Sequence, residues 1–252
     1  MEGKRSYFLS DIHLGAGYIT DPRAHQARVV AFLESIAADA SDIYFLGDVL
    51  DYWFEYRTVV PRGYVRFFGA LARLADSGVR IHWFTGNHDI WLFDYLRDEI
   101  GIEICDPSEG GEFVTIDGTL FYLGHGDGMG TQPLGFRIMR SLFRNRLCQK
   151  LFSCIHPRWT VPFAHRWSSH SRKASTPVEE LSGADRARLE LFARTLAKEN
   201  PQLRYIVMGH YHVVVDEPVT SRTHMVILGD WIRRSTYAVF DGKKLELKEF
   251  CY

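Results

Sequence analysis

The chain has 252 residues, 30 Lys/Arg against 31 Asp/Glu, a formal net charge of −1 and 46% hydrophobic residues, which suits one α/β domain with a substantial buried core. Its four cysteines (Cys105, Cys148, Cys154 and Cys251) are scattered without a CxxC pair, which argues against a zinc knuckle, a redox motif or a disulfide framework. No run of 18 apolar residues occurs and the first apolar run is too short for a signal peptide, so the expectation is a reduced, cytoplasmic protein, neither secreted nor membrane-spanning.

In chain order, Tyr7–Ser10, Asp42–Leu46 and Ile81–Thr85 are apolar runs of strand length. Between them lie two stripes at helical spacing, Ala27, Val30, Phe32, Leu33 and Ile36, then Val65, Phe68, Leu71, Ala72 and Ala75. Strand–helix–strand repeated in this way predicts a layered α/β fold with parallel pairing in its first half. From Glu112 the pattern changes to closely spaced strands, "EFVTI" and "LFYLG", around an Asp117–Gly118 turn. A helix is expected at about 177–198, opening at Thr176–Pro177 with Glu179 and Glu180 in its first turn. "YIVMG", "HMVILG", "STYAVF" and "KLELKEF" make the end strand-rich.

One segment interrupts this composition. Residues 131–175 carry nine Lys/Arg and no Asp/Glu, which leaves the remainder of the chain at −10. Within it Leu134, Ile138 and Leu142 recur at i+4, as do Met139, Phe143, Leu147, Leu151 and Ile155, with Arg137, Arg140, Arg144 and Lys150 mostly off that face. Pro157 and Pro162 are expected to end the helix. The segment reads as a basic, amphipathic helical insertion of 131–175 on a core made of 1–130 and 176–252.

Five polar clusters each follow a strand-like run: Asp11-Ile-His13, Gly47-Asp48-Val-Leu-Asp51, Gly86-Asn87-His88-Asp89, Gly124-His125-Gly126-Asp127 and Gly209-His210-Tyr211-His212. Ligands of open α/β sheets gather at the carboxyl ends of strands, where these five would converge. Carboxylate, imidazole and amide oxygen are the donors a divalent cation takes. Each cluster alone reads more readily as a polar loop; five in order after five strands do not.

The order D-x-H, G-D-x-x-D, G-N-H-D, G-H-G-D, G-H-x-H resembles the calcineurin-like metallophosphoesterases along essentially the whole chain. That resemblance implies a four-layer α/β (α+β) sandwich of two mixed β-sheets flanked by helices. It also implies a binuclear metal site in which Asp11, His13 and His212 hold one metal, Asn87, His125 and His210 the other, and Asp48 bridges them. A metal pair generates a hydroxide nucleophile near neutral pH and neutralises a phosphoryl group during in-line attack. His88 resembles the family histidine that stabilises the phosphoryl group or protonates the leaving group. Asp51 and Asp127 read either as carboxylates that orient imidazoles or as turn residues.

"LGDVLDYWFEY" (46–56), "SSHSRKAS" (168–175) and "LGDWIRRSTY" (228–237) are similar to one branch of the family, the UDP-2,3-diacylglucosamine pyrophosphohydrolases of lipid A synthesis, and the insertion occupies the position of that branch's helical lid. Two departures stand out: His88 where the branch usually carries Arg, and "GMGTQP" after Asp127 without an acidic pair. The resemblance implies hydrolysis to UMP and 2,3-diacylglucosamine 1-phosphate with two divalent metal ions, manganese first and iron or zinc as alternatives, since the same N/O ligands accept all three. Expected substrate contacts are Asn87, His88, Arg137, Arg140, Ser171, Arg172 and Lys173. A helix apolar on one side and basic on the other suits a diacylated diphosphate and also the anionic cytoplasmic face of an inner membrane, to which the protein is expected to attach peripherally. The competing readings are a nuclease using the basic patch, disfavoured by the −10 of the remainder, a protein or nucleotide phosphatase without a greasy lid, and a metal-free binding scaffold. No nucleic-acid partner is expected, and oligomeric state is not legible.

Overall fold

The computed structural model describes residues 4–107, 110–163 and 180–252. β1 (Arg5–Leu9), β2 (Ala40–Leu46), β3 (Arg80–Phe84) and β4 (Glu103–Cys105) pair in parallel in that order, joined by α1 (Pro22–Ile36), α2 (Val65–Asp76) and α3 (Tyr95–Ile100). The first three strands are near-continuous apolar runs because both faces of the sheet are covered. α1 begins where Asp21 accepts a hydrogen bond from Ala24 N–H and Pro22 sets the first turn. Its buried Val29, Phe32, Leu33 and Ile36 join Phe67, Leu71 and Leu74 of α2 against one face of the sheet.

β5 (Glu112–Ile116) and β6 (Thr119–Leu123) form the expected hairpin, with Asp117 and Gly118 both in the left-handed region at φ 47° and 77°. β7 (Leu203–Met208) adds parallel to β6, β9 (His224–Leu228) parallel to β7, and β8 (Val214–Pro218) antiparallel to β9. The chain then returns to the first sheet, where β10 (Thr236–Phe240) pairs antiparallel to β1 and β11 (Leu245–Glu249) closes the edge. Two mixed sheets result, ordered β11-β10-β1-β2-β3-β4 and β5-β6-β7-β9-β8. Phe8, Tyr44, Leu46, Phe84, Phe121, Leu123, Val207, Leu228 and Phe240 fill the space between them. α6 (Gly183–Glu199) covers the outer face of the second sheet through Leu189, Ala193 and Ala197. The order helices, sheet, sheet, helix is the four-layer α/β sandwich expected from sequence.

Three expectations need correction. α6 starts at Gly183 rather than near 177: residues 180–182 are not helical and the Ser182 hydroxyl accepts from Asp185 N–H, while Thr176–Pro177 lies outside the described residues. The single i+4 register from Met139 to Ile155 is divided at Asn145, whose extended ψ of 120° ends α4 (Leu134–Arg144) and whose side chain caps α5 (Arg146–Ser153) by accepting from Leu147 and Cys148 N–H. Pro157 opens a further helical stretch that includes every described residue from 157 to 163, instead of ending one, and Pro162 lies within it. α3, β4 and β8 were not foreseen; each is six residues or fewer.

The helices of the insertion meet the core in an unexpected orientation. Phe143 and Phe152 pack on Trp91 with ring centroids 5.5 and 4.9 Å away, and Trp91 Nε1–H donates to Phe143 O. Arg140 Nε lies 3.3 Å from Asp127, and Arg144 donates to Asp106 at 2.8 and 3.1 Å. Two arginines therefore face the core. Leu134, Ile138 and Leu142 of α4 and Leu147 and Leu151 of α5 face outward, each more than half exposed, as does Trp159.

Candidate active site and metal centre

Every chemistry-bearing cluster lies just beyond the carboxyl end of a strand: Asp11 and His13 after β1, Asp48 and Asp51 after β2, Asn87 and His88 after β3, His125 after β6, His210 and His212 after β7. Asp11, His13, Asp48 and His125 are fully or almost fully buried. Five of the expected ligands adopt left-handed backbone: Asp11 (φ 52°), His13 (50°), Asp48 (54°), His210 (70°) and His212 (56°). L-residues avoid that region at a cost of about 1–2 kcal/mol each. The strand ends hold them there. Asp11 N–H donates to Gly47 O, His13 N–H to Asp48 O, and Trp231 N–H to Asp11 O. At Gly209 a Cβ would lie 2.3 Å from Asp11 Oδ2, so glycine alone lets His210 N–H reach that oxygen at 2.8 Å.

The side chains converge on two points. At one, Asp11 Oδ1 lies 3.3 Å from His212 Nε2 and 3.8 Å from His13 Nε2. Asp48 Oδ2 lies 3.6 Å from the same His13 nitrogen. At the other, His125 Nε2 is surrounded at 3.3–3.4 Å by Asn87 Oδ1, His210 Nδ1 and that Asp48 Oδ2. Asp48 thus faces both groups, and its other oxygen accepts from His88 N–H at 2.9 Å. The seven residues expected as ligands are all brought together.

The arrangement fits a pair of divalent cations. Ring nitrogens of His125 and His210 face each other at 3.3 Å, and acid oxygens face imidazole nitrogens at distances suited to a shared cation. The imidazoles are presented in the correct tautomer: His125 Nδ1–H donates to Leu46 O at 2.9 Å, which leaves Nε2 as the donor atom. His13 Nδ1 lies 3.4 Å from Asp51, and His212 Nδ1 lies 3.4 Å from Asp230. The charges point the same way. Burial pushes the Asp48 carboxyl up, but His125, then His88 and His13, hold it well below its ordinary value. Burial works against a charged His125, yet Asp48, followed by Asp11 and Asp127, raises it well above the ordinary histidine value. His210 is pushed down to about 4 by burial and by His125. Buried carboxylates that demand positive charge, next to an imidazole free to donate, make a cation site.

His88 sits at the rim, Nδ1 3.0 Å from Asp51 O and Nε2 3.9 Å from Asp48. Asp51, read two ways from sequence, lies between His13 and His88 and orients them. Asp127 is paired with Arg140 rather than with a ligand imidazole. Arg137 is exposed on α4. Ser171, Arg172, Lys173 and the "SSHSRKAS" segment lie outside the described residues. Sequence reasoning named Asp89 within its motif but gave neither it nor Asp230 a role. Asp89 accepts from Asp48, Val49 and Gly86 N–H and from Trp83 Nε1–H, fixing the loop that carries Asp48. Its signal was its place at the end of Gly-Asn-His-Asp; that of Asp230 was the Leu-Gly-Asp-Trp after β9.

Comparison with known proteins agrees with this geometry. A protein of Porphyromonas gingivalis named UDP-2,3-diacylglucosamine hydrolase is 41% identical over 254 residues, covering 96% of each chain. Proteins of the same name from Nitrosococcus oceani and Pseudomonas putida are 27% identical (90% of this chain, 88% of the other) and 28% identical (96% and 97%). Residues 4–214, from the start of the first strand to beyond the last paired histidines, match the calcineurin-like phosphoesterases, and the chain belongs to that family.

Proposed function

We propose that this protein hydrolyses the pyrophosphate bond of UDP-2,3-diacylglucosamine, releasing UMP and 2,3-diacylglucosamine 1-phosphate, a step of lipid A synthesis. The observation that carries this reading is the 41% identity, over 96% of the chain, to a relative bearing that substrate in its name. Two divalent cations, manganese first, would be held by Asp11, His13, Asp48 and His212 and by Asp48, Asn87, His125 and His210. When bound, they supply charge neutralisation at the phosphoryl oxygens and acidify a water molecule. The protein's own groups do the rest. Asp51 and Asp230 keep His13 and His212 in their donor tautomers. His88, with Nδ1 tied to Asp51 O, presents Nε2 toward the reacting phosphoryl group. Asn87 and His88 contact substrate, with Arg137, Arg140 and the Ser171, Arg172, Lys173 segment as further contacts. Arg140 is 3.3 Å from Asp127, so it would exchange that carboxylate for a substrate phosphate.

Residues 131–175 serve as the lid. Their outward apolar row, with exposed Arg137, Arg146, Lys150 and Arg158 beside it, supports peripheral attachment to an anionic membrane at its cytoplasmic face, where the diacylated substrate resides. No described helix is long and apolar enough to cross a membrane.

The deciding experiment compares turnover of UDP-2,3-diacylglucosamine, bis(p-nitrophenyl) phosphate and single-stranded DNA with manganese. The lipid substrate should be preferred by a wide margin, and Asp48→Ala or His125→Ala should abolish turnover of all three with the fold intact. A preference for DNA would replace the lipid reading with a nuclease.

A further inference from the structure

Arg188, on α6, is used by no part of the site described above, yet it touches two separate segments beside it, residues 130–132 and the loop between His210 and His212. Its Nη2–H donates to the Tyr211 hydroxyl at 3.0 Å and to Asp185 at 2.7 Å, and its Nη1–H donates to Gln132 Oε1 at 3.2 Å. Its stem lies against Gly130, where a Cβ would come within 3.0 Å of Arg188 Cγ. Gln132 is folded back on the same turn, its Nε2–H donating to Met129 O. Tyr211 separates His210 from His212, meets the His210 ring edge-on with centroids 5.1 Å apart, and has its hydroxyl 3.5 Å from Gly126 O, one residue after His125. Arg188 itself is mostly enclosed, with 23% of its side chain exposed.

We infer that Arg188 is a positioning residue that fixes the root of the insertion, Gly130–Gln132, against the loop carrying His210 and His212. α6 is a rigid post, since its Leu189, Ala193 and Ala197 are buried against the second sheet. It follows the insertion in sequence, and Gly130–Gln132 stand just before α4. One planar guanidinium therefore ties the chain on both sides of the insertion to the metal loop. A fork with fixed donor directions reaches Gln132 from Nη1 and Tyr211 from Nη2, whereas the single nitrogen of an ammonium cannot occupy both positions. The segment 125–132 then carries, in sequence, a metal ligand, the Tyr211 contact, the Asp127 partner of Arg140 and the Arg188 contacts. Displacement of its far end by Arg188 loss would move Arg140 and α4 while leaving His125, held by Leu46 O, in place.

The test rests on the proposed lipid substrate for one arm only. Arg188→Met and Arg188→Lys are compared with wild type for kcat and KM on UDP-2,3-diacylglucosamine and on bis(p-nitrophenyl) phosphate, for bound metal, and for amide hydrogen exchange across 129–144. In Arg188→Met, kcat/KM for the lipid substrate should fall by about 10- to 100-fold through KM, with the small diester changed less than threefold. Metal content should stay as in wild type, exchange across 129–144 should accelerate while β7 stays protected, and Arg188→Lys should recover part of both effects. Unchanged exchange in Arg188→Met overturns the inference, as does an equal loss on both substrates with Arg188→Lys no better than Arg188→Met. If wild type itself fails to cleave the lipid substrate, the proposed function has failed, and the exchange arm alone decides the role of Arg188.

Discussion

The Asp89 carboxylate illustrates how a residue that is not itself among the proposed metal ligands can govern the site. Five N–H donors, four of them backbone, end on its two oxygens at 2.7–3.5 Å. Burial and the neighbouring Asp48 charge push its acid up to about 6, and the donors are what keep the anion tolerable there. Asp89→Asn would turn an amide donor toward those N–H groups, with an expected loss of about 2–4 kcal/mol in urea denaturation and a weaker metal affinity, since Asp48 loses its frame. The seven residues proposed as ligands were legible because each falls just after a strand, in a short polar motif that in four of the five cases includes glycine. Asp89 was visible only as the last letter of such a motif, because what identifies it is a set of backbone donors drawn from Asp48 and Val49, some 40 residues away. Asp230 escaped for the same reason: its partner His212 lies across two strands.

At the scale of elements, periodicity identified the apolar stripe of the insertion but not the direction it faces. The stripe is a property of i+4 spacing; the direction is decided by Asp127 and Asp106, which capture Arg140 and Arg144 and turn the leucines outward. Nor could spacing reveal the break at Asn145, since residues on either side keep the i+4 count; only its cap to Leu147 and Cys148 N–H divides the helices. An exposed apolar row beside cations predicts a specific result. A Leu142→Glu, Leu147→Glu double variant should lose sedimentation with anionic phosphatidylglycerol vesicles, by about 10-fold or more in partitioning, because each substitution removes apolar burial and adds repulsion. The fold should keep its melting temperature within a few degrees, since neither α4 nor α5 buries a residue in the core. Vesicle binding equal to wild type would leave the row without its lipid partner.

Across the whole molecule, the two sheets share the site. The first supplies Asp11, His13, Asp48 and Asn87, the second His125, His210 and His212, and the aromatic layer between them sets the spacing of the two ligand sets. Layer order was predictable because strand–helix alternation and then hairpin spacing are written into short windows; the crossing of β10 back to the first sheet is not, because it depends on pairing with β1 more than 200 residues earlier. Acid stability is also a property of this assembly. On β2, buried Asp42 takes hydrogen bonds from Arg80 at 2.6 and 2.8 Å and faces His82 at 3.2 Å. Burial pushes its carboxyl up, but His82, Arg80 and Ser41 hold it below the usual carboxylate range. A folded-state value below the unfolded one near 3.9 means the stabilisation is complete above about pH 5 and is lost as pH falls toward the folded value. Asp42→Asn should therefore cost about 1–2 kcal/mol at pH 7 and progressively less below pH 4, read from urea melts across that range.

The left-handed backbone at Asp11, His13, Asp48, His210 and His212 has a consequence for how such a chain would evolve. Those five are most of the seven non-glycine residues with positive φ among the described residues, so the ligand roles proposed for them compete with the fold for the same positions. Substitution of His212 by glycine should give a metal-free protein more stable than His212→Ala by about 1 kcal/mol, because alanine keeps the steric conflict that glycine lacks. A lineage released from its reaction would thus find its first stabilising mutations inside the active site. Loss of function at these positions would be rewarded by stability, and a decayed copy of this fold should be recognisable by glycines standing where its ligands were.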